Sequence, residues 1–96
     1  MARVRYTERA LAHLERLTEF LAATDLDAAA DTAKIIVEAI EVLHRHAEIG
    51  RPGEDDFREL IISRGRTGYV ALYSYDEHDD VVLVHAIRHQ REAGYA

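Results

Sequence analysis

Residues 81–88 read "VVLVHAIR", a run that is apolar almost throughout. A strand with one covered face and one wet face alternates apolar with polar residues. Here both sets of alternate positions are apolar: Val81, Leu83 and Ile87 toward one face, and Val82, Val84 and Ala86 toward the other. The run therefore predicts a strand that is buried on both faces.

Two amphipathic helices are predicted upstream, in the first half of the chain. Thr7 offers an N-cap for a helix to about Ala22, in which apolar residues recur every three or four positions. The second helix takes Asp25 or Asp27 as its cap and runs to about His46. Because only a few residues join them, the two helices are expected to form an antiparallel hairpin.

Strand patterns stand on either side of this hairpin. The four predicted strands are Arg3–Tyr6, Phe57–Ser63, Gly68–Tyr75 and Val81–Arg88. The links between the last three, "RGRT" and "DEHDD", are short enough for antiparallel hairpins. The predicted fold is therefore α+β in the order β-α-α-β-β-β, with a helical hairpin on one face of a small, mainly antiparallel sheet.

The second face of this sheet needs cover, because two helices can cover only one. The middle strand is also apolar or aromatic on both sides: Val70 and Leu72 on one, and Tyr69, Ala71, Tyr73 and Tyr75 on the other. Monomeric proteins rarely leave a large apolar patch exposed. We therefore expect a protein partner, or a second copy of the chain, on the face that the helices leave open.

Composition narrows the class of protein. The 96 residues are enough for one domain, and the net charge of −6 is evenly spread, which argues against a protein that grips many phosphates. There is no cysteine, and His85 and His89 have no third ligand at a recognisable spacing, so no metal or other cofactor is expected. Without a secretory signal or an apolar stretch of ~20 residues, the expected location is the cytoplasm, away from membranes.

The segments of this chain, in their order and spacing, resemble toxins of the RelE/ParE superfamily, the toxin halves of bacterial type II toxin–antitoxin pairs. The resemblance covers nearly the whole chain and runs through "YTERALAHLERLTEFL", "DLDAAADTAKIIVEAIEVL", "GRPG", "FRELIIS", "GYVALYSY" and, most specifically, the terminal "IRHQREAGY". It implies a cognate antitoxin that wraps the toxin. It also implies that operator DNA is bound only through that antitoxin. It leaves a homodimer or a heterotetramer with the antitoxin open.

Two branches of this superfamily make different predictions. RelE-like members cut mRNA on the ribosome without a metal, and the resemblance then implies His89 as acid or base, Arg91 as phosphate ligand and Tyr95 near the reacting group. ParE-like members inhibit DNA gyrase. A degenerate, non-toxic member that only binds its antitoxin is a third possibility.

Two departures from the RelE-like pattern favour the ParE-like branch. RelE-like enzymes carry an arginine directly after the Gly-Tyr pair of the middle strand, where this chain has Val70. They also carry two lysines two positions apart on the preceding strand, where this chain offers Arg58 and Leu60. Losing one oriented cation at such a site costs about 10²–10³ in rate.

Several residues of the second half are predicted to contact the target or the antitoxin: Arg58, Arg64, Arg66, Arg88 and Tyr73. Each also has a plainer interpretation. The arginines can pair with acids of this chain, which contributes little at the surface. A strand tyrosine mostly packs in a core or an interface, and Tyr95 and His89 can be structural residues near the chain end.

Overall fold

The computed structural model describes residues 1–64 and 67–95, with the backbone alone at 63, 64 and 67. Its helices are α1 (Glu8–Ala22) and α2 (Leu26–Glu41), and its strands are β1 (Arg3–Tyr6), β2 (Arg51–Pro52), β3 (Phe57–Arg64), β4 (Thr67–Asp76) and β5 (Val81–His89). The strand order in the sheet is β1-β5-β4-β3-β2, with β1 parallel to β5 and the other pairs antiparallel. The predicted α+β order is confirmed. The structure adds one short strand that was not predicted, the two-residue β2, which lies within the predicted turn.

Both helices begin at the caps that local sequence favours. The side chain of Thr7 accepts a hydrogen bond from the amide of Ala10, and Asp25 accepts one from Ala28, each at 3.0 Å. Asp25, rather than Asp27, is therefore the cap of α2. None of the described helices is long and apolar enough to cross a membrane.

The end of α2 differs from the prediction, which continued the helix to about His46. The α-helix stops at Glu41 and tightens into a 3-10 turn over Val42–His44. His44 explains the change, because its carbonyl accepts the amide of Ala2 at 2.9 Å and its Nδ1 lies 2.6 Å from the carbonyl of Ala2. The last turn is thus fastened to the residues that lead into β1.

The core lies between the helical hairpin and one face of the sheet. Its largest fully buried side chains come from both layers: Ile36, Ile40 and Leu43 from α2 and the turn after it, and Tyr73, Val82, Val84 and Ile87 from the sheet. Complete burial of one such apolar side chain contributes about 1.5–3 kcal/mol. On the sheet side the core therefore depends most on β4 and β5, which supply all four of the sheet's largest fully buried side chains.

A β-bulge interrupts the pairing of β4 with β5. The register passes from Leu72 opposite Ala86 to Tyr73 opposite Val84, so His85 has no partner in β4. One extra residue on a strand reverses the facing of every residue beyond it. The sequence pattern contained no sign of this reversal.

The bulge changes which residues of β5 face the helices. The prediction put Ile87 on the face opposite to Val82 and Val84, but all three belong to one buried cluster with the helices, so that assignment was wrong. His13 of α1 secures the altered strand, since its Nδ1 accepts the amide of Ile87 at 3.1 Å in the buried interior. A helix side chain thus satisfies a backbone donor that the regular ladder would otherwise pair.

The second face of the sheet is covered in part by the chain itself. Tyr95 contacts Arg88 of β5 and Glu59 of β3, so the segment after β5 crosses β4 on the side away from the helices. Val70 of β4 is accordingly buried, whereas Ile61 of β3 stays 43% exposed. We expected the chain itself to leave this whole face uncovered, and that expectation is corrected. The face is exposed around Ile61, but the segment after β5 covers it around Val70.

Candidate functional site

The tail closes over four polar side chains, Glu59, Arg51, Arg88 and Tyr95, which we call the Glu59 cluster. Arg51 Nη2 lies 2.7 Å from Glu59 Oε1, and the Tyr95 hydroxyl donates to Glu59 Oε2 at 2.8 Å. Arg88 Nη2 lies 4.0 Å from the same Oε2. A single carboxylate therefore accepts hydrogen bonds from β2 and the tail and lies within ion-pair distance of a cation on β5.

Arg88 organises the tail through its backbone. Its Nη1 donates to the carbonyls of His89, Gln90 and Glu92 at 3.1–3.2 Å. Its guanidinium carbon also lies 5.2 Å from the centre of the Tyr95 ring, a cation–π distance. The arginine that was predicted to contact a target or an antitoxin is thus largely engaged within this chain, and its side chain is only 17% exposed.

The protonation of the cluster follows from these contacts. The hydrogen bond from Arg51, and after it that from Tyr95, holds the pKa of Glu59 below its ordinary value of 4.5. Burial, and after it the hydrogen bond to Glu59, raises the pKa of Tyr95 to about 12. At neutral pH the carboxylate is therefore charged and the phenol is protonated, which makes Tyr95 a fixed donor and a poor base.

His89 lies on the opposite side of the sheet from this cluster. It is paired with Tyr69, and the two rings meet edge to face on the helix side, with centroids 5.3 Å apart. Its Nδ1 accepts the amide of Arg91 at 3.0 Å, so the proton of the neutral ring is on Nε2. The three residues predicted for a RelE-like site, His89, Arg91 and Tyr95, are not brought together in this structure.

The register also separates residues of β3 by face. Arg58 pairs with Tyr73 and Leu60 with Ala71, on the helix side of the sheet. Glu59 and Ile61, which pair with Leu72 and Val70, share the face of Arg88. If the two lysines of RelE-like enzymes share the face of Arg88, the positions that correspond to them here are Glu59 and Ile61. Neither residue is a cation.

Arg58 and Tyr73 both hold the loop before β2. Nη1 of Arg58 donates to the carbonyls of Glu48 and Gly50, each at 2.9 Å. The Tyr73 hydroxyl accepts the amide of Gly50 at 2.8 Å, and the residue is 0% exposed. The prediction of Tyr73 as a contact residue is corrected here, because the side chain lies in the core and offers no surface to a partner.

Two further predicted contact residues lie on the β3–β4 turn. Arg66 is outside the described residues, and so is the side chain of Arg64. Their predicted contact with a target or an antitoxin stays a prediction.

The histidines of β5 do not share a site. His85 lies with Ser74 and Phe57, its Nε2 2.8 Å from the Ser74 hydroxyl and its ring edge-on to Phe57. Burial lowers the pKa of His85, so the neutral ring serves as a hydrogen-bond partner. Among the described residues, no group of three or more His, Cys, Asp or Glu side chains could hold a metal ion.

An apolar groove opens between the C-terminal half of α1 and the sheet. Its volume is about 420 Å³, and its lining is mostly apolar and aromatic: Leu17, Phe20, Leu21, Tyr69 and His89, with Arg16 and Glu92 at one end. Arg16 Nη2 and Glu92 Oε2 are 3.4 Å apart and neutralise each other there. Phe20 is 82% exposed beside this groove, so the ring and the groove together form a contiguous exposed apolar patch.

Comparison with known proteins identifies the family. Residues 4–94 match the model of a family described as "ParE toxin of type II toxin-antitoxin system, parDE". The chain belongs to this toxin family. It is also 33% identical over 92 residues to "Toxin RelE3" of Caulobacter vibrioides, a match that spans 96% of this chain and 98% of the relative. The superfamily resemblance of the sequence is thereby confirmed, while the two matched names come from its two branches.

Solved structures agree with the fold of this ParE-family chain. A chain of the structure titled "Chromosomal ParDE TA system from P. aeruginosa" superposes with a TM-score of 0.75 at 21% identity, over 91% of this chain and 94% of that one. A chain of the RelBE2 toxin–antitoxin complex from Mycobacterium tuberculosis gives 0.58 at 23% identity, over 95% and 93% of the two chains. At these identities the likeness establishes the fold alone.

The lowered pKa of Glu59 predicts how the stability of this ParE-family chain depends on pH. Because the carboxyl group is more acidic in the folded than in the unfolded chain, its ionisation stabilises the fold above about pH 4.5. This stabilisation is lost as the pH falls through the lower, folded-state pKa. Urea unfolding across a series of pH values should therefore show a flatter acid limb for Glu59→Gln than for the unmodified protein.

Glu54→Gln is the matched control for this measurement, since it removes one carboxylate from a neighbouring position without touching the Glu59 cluster. Its acid limb should follow that of the unmodified protein. An unchanged acid limb in Glu59→Gln would mean that the contacts of Glu59 do not stabilise the folded chain.

Proposed function

We propose that this chain is a ParE-like toxin that acts by binding a cytoplasmic protein, DNA gyrase being the usual target of that branch, and that a cognate antitoxin neutralises it. The observation that carries the proposal is the separation of His89 from Tyr95 by the sheet, with Tyr95 and Arg88 both held by Glu59.

The chemistry of RNA cleavage explains why this separation matters. Attack by a 2′-hydroxyl on its own phosphate needs a base, an acid for the leaving oxygen and a cation beside the phosphorane, all within reach of one phosphate. On the face of Arg88, the residues Val70, Leu72 and Ile61 supply none of these groups. The two polar neighbours on that face, Tyr95 and Glu59, are hydrogen-bonded to each other. Arg88 itself faces an anion of its own chain. These features support a toxin that binds its target instead of cutting RNA.

The apolar groove supports an antitoxin partner. The solved relatives are toxin–antitoxin complexes by their titles. In this chain the exposed Phe20 and the groove beside it form a surface of the kind that another polypeptide covers. We assign this surface to the antitoxin, and operator DNA to the complex through the antitoxin only. A toxin homodimer and a heterotetramer are alternative assemblies on the same surfaces.

A RelE-like mRNA endoribonuclease is the second candidate, favoured by the 33% identity to the relative named RelE3. In that case His89 and Arg91 would act on RNA from the groove side of the sheet, apart from Tyr95. This arrangement would be a different site from the one that the superfamily resemblance implies. The two candidates therefore predict different effects on RNA and on DNA topology in the same cells.

The test is induction of the toxin without antitoxin, with plasmid supercoiling and mRNA integrity followed together. We expect loss of negative supercoiling while transcripts stay intact, and we expect purified toxin to inhibit gyrase in vitro. The double variant His89→Ala/Arg91→Ala should keep this effect. Cleaved transcripts with normal supercoiling would reject the proposal, and a folded, well-expressed chain without any growth effect would indicate the non-toxic alternative.

A further inference from the structure

The Glu59 cluster has the composition of an oxyanion site. Two guanidinium groups and one phenol, from Arg51, Arg88 and Tyr95, converge on a single point at one end of the sheet. Arginine is the side chain best suited to bind carboxylates and phosphates, because its planar fork presents several donors at once. In this chain the point of convergence is filled by the carboxylate of Glu59.

Glu59 does not use all the donors that surround it. Its two oxygens take Arg51 and Tyr95 at hydrogen-bond distance, but Arg88 Nη2 is 4.0 Å away, too far for a hydrogen bond. The Nε of Arg88 is buried and has no hydrogen-bond partner in the described part of the chain. A buried donor without a partner is uncommon in folded proteins. A tetrahedral oxyanion has more acceptor oxygens than a carboxylate and could take donors that Glu59 leaves unused.

The surroundings of Glu59 add to its negative charge. A shallow pocket next to it is lined by Glu54 and Asp55 as well as by Phe57 and Leu72. A phosphate that approaches from this pocket therefore meets acids before it reaches the arginines. Like charges in such a site repel an incoming anion and select against it.

We propose that Glu59 is the specificity-determining residue that excludes phosphate groups from an oxyanion site formed by Arg51, Arg88 and Tyr95. The carboxylate acts as an internal counter-ion. It accepts hydrogen bonds from Arg51 and Tyr95, offsets the charge of the arginines, and holds the segment after β5 against the face of the sheet away from the helices. This inference concerns one side chain and its contacts, and it holds for either candidate function. Its consequence is that removal of Glu59 should create phosphate binding where the natural chain has none.

The experiment measures binding of inorganic phosphate by NMR chemical-shift titration at constant ionic strength, with Arg88 Nε–H and the Tyr95 ring as reporters. The test variant is Glu59→Ala, and the matched control is Glu19→Ala on the exposed side of α1, which makes the same change in net charge and the same truncation away from the site. We expect Glu59→Ala to bind phosphate at least about tenfold more tightly than the control and the unmodified protein, the ratio expected for one charge-assisted hydrogen bond. The double variant Glu59→Ala/Arg51→Gln should return to the level of the control.

A second arm uses a short single-stranded oligoribonucleotide in place of inorganic phosphate. Binding of both probes by Glu59→Ala would show that the site takes phosphate within a nucleic-acid backbone, and binding of inorganic phosphate alone would limit the site to small anions. Equal, weak phosphate binding by Glu59→Ala and Glu19→Ala would overturn the proposal, as would tight binding by the unmodified protein. If Glu59→Ala does not fold, Glu59→Thr gives the same comparison with a residue that strands favour.

Discussion

Replacing Tyr73 with alanine is expected to lower the free energy of unfolding by about 3–5 kcal/mol, the usual cost of removing a buried aromatic side chain. Tyr73 is 0% exposed and is the largest fully buried side chain of the core. It also accepts the amide of Gly50 at 2.8 Å, so truncation leaves both a cavity and a buried donor without its partner. Urea unfolding followed by circular dichroism measures the loss.

The variant Tyr73→Phe separates the two contributions. It keeps the ring in place and removes only the acceptor of the Gly50 amide, at a cost of about 1–3 kcal/mol. Tyr73→Ala should therefore be clearly the less stable of the two. Two variants of equal stability, both close to the unmodified protein, would mean that the ring is not packed as the structure has it.

Replacing Gly50 with alanine is expected to lower the free energy of unfolding by about 1–3 kcal/mol, the usual cost of overpacking. A Cβ at this position would lie 2.6 Å from two atoms of the Tyr73 ring and hydroxyl. The ring is fully buried and cannot move away without disturbing the core. In a domain of this size the loss corresponds to a fall in Tm of about 4–8 °C per kcal/mol.

Gly94→Ala is the control for this measurement. A Cβ at Gly94 would meet no heavy atom of the described residues within 4 Å, so its melting temperature should match that of the unmodified protein. Similar melting temperatures for Gly50→Ala and Gly94→Ala would contradict the close contact between the loop and Tyr73.

The elements that local signals specify were predictable from sequence. Thr7 and Asp25 cap the helices because their side chains accept hydrogen bonds from amides three residues ahead. A cap of this kind depends only on residues close in sequence, so the sequence is enough to predict it. The bulge at His85 was not predictable in this way. It depends on the pairing of β4 with β5 and on His13, whose ring bonds an amide 74 positions away. A pattern with a period of two has no means of showing an extra residue.

The same limit applies to the candidate site. The terminal segment pointed to Arg88 and Tyr95 as chemically notable residues, and both belong to the Glu59 cluster. Glu59 itself went unnoticed, because only the register of β3 against β4 and β5 brings it opposite them. His89 was grouped with Tyr95 because the RelE-like resemblance implied both residues, yet the sheet lies between them. Alternation at the end of β5 separates His89 from Arg88, but it does not reach Tyr95, whose face is set by contacts beyond the strand.

The strand order has a consequence for how the polypeptide is made. β5 is the last strand of the domain to be synthesised, yet it lies between β1 and β4 and carries the contacts with α1. The hydroxyl of Thr7 bonds the carbonyl of His85 across 78 positions, so the first-made strand has no neighbour until translation has passed β5. Closing so long a span is slow compared with forming local hairpins. A nascent chain that still lacks β5 therefore cannot complete this sheet, and the finished fold arises only once nearly the whole domain has been translated.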